Sequence, residues 1–95
     1  MDSYAYNDIS VSTICGNLCV YVDAVFCNHQ EIGRVVRIKN TWLAYSMEDF
    51  ESPLSFPFVP DISAVGIDIA SIAMKKRAIE YLVTKNRTKK ENKEN

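Results

Sequence analysis

The chain is short of everything that would commit it to a membrane, an oxidising compartment or a bound cofactor. No stretch approaches the roughly 18–20 uninterrupted apolar residues that span a bilayer. The start, Met1-Asp2-Ser3-Tyr4, has neither the basic segment nor the apolar run of a signal peptide, so the expectation is no membrane and a cytoplasmic location. Three cysteines, an odd number, do not make a disulfide framework, which also favours a reducing compartment. With Gly16, Gly33 and Gly66 as the only glycines, neither the dinucleotide-binding nor the P-loop fingerprint can be written. No cofactor and no enzymatic activity are therefore expected. There is one histidine, and the three prolines all fall within residues 53–60.

What is present is a chain of 95 residues, enough for one domain, with the 47% apolar content of a globular protein. Its net charge of -1 hides a division. In residues 1–74 the bases Arg34, Arg37 and Lys39 face nine acids, a balance of -6. In residues 75–95 eight bases, beginning with Lys75, Lys76 and Arg77, face three acids, a balance of +5. Such asymmetry suggests a charged partner for one segment, or simply a basic helix end that answers the helix dipole and a solubilising tail.

Residues 9–47 read as strands. Residues 9–14 are rich in β-branched side chains, and Gly16-Asn17 is a two-residue hairpin signal. Along residues 18–27, Leu18, Val20, Val22, Ala24 and Phe26 form a clean apolar face, while Cys19, Tyr21, Asp23, Val25 and Cys27 form the other. A period of two with one apolar face predicts a sheet covered on one side. A tight hairpin around Asn40 follows, placing Val36, Ile38, Leu43 and Tyr45 on one face and Val35, Arg37, Trp42 and Ala44 on the other. Trp42 and Arg37 are expected on the face opposite the helix. Pro53, Pro57 and Pro60 leave residues 48–60 as an extended edge or loop, with Leu54, Phe56 and Phe58 alternating onto the core.

One helix is predicted over residues 61–84, with Asp61 or Ser63 as N-cap and Ile62, Val65, Ile69, Ile72, Ile79 and Val83 as its sheet-facing stripe. A second stripe, Ile67, Met74 and Tyr81, with Ala70 and Ala78 beside it, is a dimer seam, a groove for another partner, or a surface covered by the proline-bearing segment. The fold class is α+β: an antiparallel β-meander of three to four strands followed by one long C-terminal helix packed on one sheet face. Residues 1–84 form a single compact domain and residues 85–95 a disordered basic tail.

Cys15, Cys19, Cys27 and His29 offer zinc-ligand chemistry, but a tetrahedral site needs ligands converging at about 2.0–2.3 Å. At about 3.3 Å per residue, Cys19 and Cys27 would stand on the order of 26 Å apart along one strand, so no metal site is expected. His29 could reach Cys27, yet no orienting acid or oxyanion hole is marked. Surfaces remain. Tyr21, Arg37 and Trp42 on an open sheet face would make an aromatic-basic patch suited to a protein partner or to stacked bases. Glu48, Asp49 and Glu51, with Asp61, form an acidic run that is a solvated loop or a mimic of phosphates.

Val35-Val36-Arg37-Ile38, leading through a tight turn to Trp42-Leu43-Ala44-Tyr45, resembles a hairpin of small phage-encoded anti-CRISPR proteins and covers about a tenth of the chain. The resemblance implies a non-enzymatic inhibitor that occupies a nucleic-acid-binding groove of a host complex. Strands followed by a helix with a basic end are similar to double-stranded-RNA-binding and integrase arm-type domains, which implies nucleic-acid contact through Lys75, Lys76, Arg77 and the tail. An antitoxin, suggested by Pro60-Asp61-Ile62 ahead of the helix, ranks below both. The leading expectation is a protein-interaction module with a host protein as partner, and homodimerisation through the Ile67/Met74/Tyr81 stripe as a further option.

Overall fold

The computed structural model describes residues 8–16, 20–61, 66 and 68–94, with side chains described as far as residue 88. Five strands, β1 (Ile9–Gly16), β2 (Val20–Cys27), β3 (Gln30–Ile38), β4 (Thr41–Ser46) and β5 (Asp49–Pro57), precede one helix, α1 (Ile69–Glu94). The strands form an antiparallel sheet in the order β1-β2-β3-β4-β5. This is the expected α+β meander with a C-terminal helix on one face, with five strands where three to four were expected. The extra strand is the proline-bearing segment, tolerated because an edge strand has one side on which a missing N–H costs no ladder bond.

Short turns fix the register. Asn28 and His29 join β2 to β3 with φ of 50° and 67°, the positive pair of a type I′ turn, whose twist matches that of the strands. Lys39-Asn40 joins β3 to β4, with Lys39 at φ 54°. Val35 pairs with Ala44, Val36 with Leu43 and Arg37 with Trp42, so the parity read from the sequence holds. The turn expected at Gly16-Asn17 involves Asn17, which lies outside the described residues, as do Leu18 and Cys19.

The face that α1 covers is the reverse of the one expected. Val25, Val35, Trp42, Ala44 and Phe58 pack against Ala78, Ile79, Leu82 and Val83 of the helix. Gly33 lies at the tightest approach. A Cβ there would strike the Tyr45 carbonyl oxygen and stand 2.9 Å from Leu82 Cδ2, so the glycine lets the helix sit down on the sheet. Phe56 and Phe58 join this core as expected, whereas Leu54 stays exposed.

The helix also begins and ends later than predicted. Its N-cap is Asp68, whose Oδ1 accepts the Ser71 N–H at 3.1 Å, in place of Asp61 or Ser63. Asp61 instead bonds to the start of the helix: its N–H donates to Asp68 Oδ1 at 3.1 Å and its carbonyl accepts the Ile69 N–H at 3.1 Å. Ser63 lies outside the described residues, as do Ile62, Val65 and Ile67. Residues 85–94, expected to be a disordered tail, continue the helix to Glu94. Lys, Arg and Glu are good helix formers, and a helix already nucleated on a core extends without further apolar residues. Among the described residues no helix is long and apolar enough to cross a membrane.

Candidate functional site

The side chains expected to form an open aromatic-basic patch lie under the helix. Trp42 is 4% exposed, and its Nε1–H donates to Ser71 Oγ at 3.0 Å. Tyr21 meets the Trp42 ring edge-on at 6.4 Å. Lys75 reaches down from the helix to ion-pair with Asp23, its Nζ 5.4 Å from the Tyr21 ring centre and 5.5 Å from that of Trp42. Arg37 lies over the Phe58 ring at 5.1 Å, donates to the Lys39 carbonyl at 3.0 Å, and approaches Asp68 at 3.9 Å. The backbone N–H of Asp61 foremost, with those of Ser71 and Ala70 and the Arg37 guanidinium, holds the Asp68 carboxyl below the usual carboxylate range.

This arrangement corrects the placement of Trp42, Arg37 and Tyr21, and it has a physical reason. The buried face carries polar groups that find partners on the helix or its N-cap: Asp23 pairs with Lys75, Trp42 with Ser71 and Arg37 with Asp68. Face selection by apolarity alone cannot see such matches. The Met74 and Tyr81 stripe is likewise on the sheet side, with Tyr81 against Phe56 at 6.3 Å, so the proline-bearing strand covers it. Ile69 and Ile72, expected to face the sheet, are exposed, whereas Ile79 and Val83 are buried as expected.

The remaining residues are dispersed. Lys75, Lys76 and Arg77 follow one another at about 100° per residue, so Lys75 turns to the sheet while Arg77 faces solvent. The three bases therefore share no face. Glu48 lies in the β4–β5 turn, and Asp49 and Glu51 on β5, away from Asp61 at the loop before the helix. Cys15 and Cys27 occupy opposite ends of the β1–β2 pair, and Cys27 Sγ–H donates to Asp8 Oδ2 at 3.3 Å. Among the described residues no three His, Cys, Asp or Glu side chains converge as metal ligands.

A surface the sequence identified but assigned to the interior stands open instead. The pairings Val20 with Ile38, Val36 with Leu43, and Arg34 with Tyr45 put these side chains on the sheet face away from α1. Phe50 joins them, its ring edge-on to Tyr45 at 6.1 Å. No described element covers this face. Ile38 and Phe50 are each 45% exposed and Val20 is exposed, while Val36, Leu43 and Tyr45 are half-buried by one another. Arg34 on this face is paired: its Nε donates to Glu31 Oε2 at 2.6 Å, and that bond raises the arginine's already high pKa. The alternation of apolar residues on β2 and β3 signalled this surface; what the sequence did not signal was which side the helix would choose.

No family model, no curated protein and no solved structure matches this chain.

Proposed function

We propose that the protein is a non-enzymatic protein-interaction module whose working surface is the uncovered apolar face of the sheet. The observation that carries this reading is the contiguous set Val20, Val36, Ile38, Leu43, Tyr45 and Phe50 on a face with no described cover. Single exposed apolar residues are ordinary, but a contiguous apolar sheet face marks a binding surface. Covering what remains exposed of Ile38 and Phe50 is worth about 1 kcal/mol each. Arg34, the base on this face, is neutralised by its ion pair with Glu31.

The hairpin that resembles anti-CRISPR proteins contributes Val36, Ile38, Leu43 and Tyr45 to this surface. That supports, as the specific form of the function, a cytoplasmic inhibitor seated against a host nucleic-acid-binding complex. Direct nucleic-acid binding is the weaker reading, because Lys75 is engaged by Asp23 and the basic residues beside it diverge around the helix. Affinity capture from host lysate tests the proposal. The double variant Ile38→Lys/Phe50→Lys should retain the native circular dichroism spectrum and lose the protein captured by the wild type. Capture undiminished in that folded variant would refute it.

A further inference from the structure

The two edges of the sheet are built differently. The β5 edge carries Asp49, Glu51, Pro53 and Pro57, the charges and prolines that prevent another strand from adding to a sheet. The β1 edge, Ile9–Gly16, has neither a formal charge nor a proline along eight residues. Its residues beyond Ile9 are exposed, and among the described residues β2 is its only neighbour. The pairing irregularity between Thr13 and Cys15 falls near its end, so residues 9–13 form a regular extended run.

We propose that β1 is a strand-addition site whose occupant is β1 of a second copy, paired antiparallel about a two-fold axis near Val11. A two-fold axis there sets Val11 against Val11, Ser10 against Ser12, and Ile9 against Thr13. Each pair matches in polarity or in β-branching, and none brings like charges together. Antiparallel self-pairing satisfies the outward N–H and C=O groups of both edges at once. It produces a ten-stranded sheet whose two outer edges are both β5. The acids and prolines of β5 then stop growth, so the assembly closes as a dimer rather than a fibre. This selects a second copy over a fibre: one edge of each molecule is competent and the other blocked. The contact is a narrow strip at the small end of interface sizes, so the dimer is reversible and concentration-dependent.

Light scattering across a concentration series tests this, combined with amide hydrogen exchange. The wild type should approach twice the chain mass at high concentration, with amides of residues 9–13 gaining protection as it does. Val11→Lys and Ser12→Lys, which set two ammonium groups against or beside one another at the axis, should remain monomeric with an unchanged circular dichroism spectrum. The Ile38→Lys/Phe50→Lys variant should still dimerise, since the pairing does not use the open face. A monomer up to millimolar concentration would overturn the proposal, as would a dimer that withstands both β1 lysines. A dimer dissociated by the open-face variant alone would overturn it too, while leaving the open face as an interface.

Discussion

Asp23 is 1% exposed on β2, and Lys75 supplies its charge partner from the helix. Its Oδ1 finds no hydrogen-bond donor among the described residues, so the carboxylate depends heavily on that ammonium. Removing one member of a buried pair strands the other, at about 3–5 kcal/mol when both are fully buried. The Lys75 side chain is 31% exposed, which screens the pair, so Lys75→Met should cost about 2 kcal/mol in urea unfolding. Asp23→Leu with Lys75→Met should recover most of that loss; failure to recover would mean that the pair is not the source. Trp42 gives a second test. Its ring fills the sheet–helix interface and its N–H is bonded to Ser71, so Trp42→Ala should cost about 3–5 kcal/mol and collapse the cooperative unfolding transition. A folded, stable Trp42→Ala protein would contradict its burial.

The local elements were largely legible because local rules govern them. Alternation marked β2, the Asn40 turn marked the β3–β4 hairpin, and that hairpin fixed which residues share a face. The helix ends were not legible. Asp68 competes with Asp61 and Ser63 as a cap by composition, and only its bonds to the Asp61 and Ser71 N–H groups select it. That cap carries a pH signature. With its folded pKa lowered, Asp68 contributes stability that is present above the ordinary carboxylate pKa of about 3.9 and lost as pH falls through the lower folded value. Thermal midpoints measured from pH 5 to 2 should therefore fall less steeply for Asp68→Asn, which keeps a capping oxygen without the titration. At the Asn28-His29 turn, His29 holds φ at 67°, where glycine has no Cβ penalty. His29→Gly should raise stability by about 0.5–1 kcal/mol in chemical denaturation. A loss of stability there would argue against the type I′ geometry.

At the scale of the molecule, the helix covers the sheet face with which it pairs polar groups, Asp23 with Lys75 and Trp42 with Ser71. The most cleanly apolar face read from the sequence, that of Val20, Val22 and Phe26, is the one left open. Periodicity identifies faces, but only complementary partners far along the chain, Ser71 and Lys75 among them, decide which is buried. The charge division resolves in the same way, since Lys75 and Arg87 of the basic segment return to Asp23 and Asp8 of the acidic one.

The isoleucines report on each surface separately: Ile38 on the open face, Ile9 and Ile14 on β1, Ile69 and Ile72 on the outer side of the helix, and Ile79 in the core. Methyl NMR of the labelled protein, titrated with the protein it captures, therefore locates the contact in a single experiment. The open-face account predicts a large shift or broadening of the Ile38 methyl, accompanied by Val20, Val36 and Leu43, with Ile69, Ile72 and Ile79 unmoved. Shifts confined to Ile69 and Ile72 while Ile38 stays in place would contradict it.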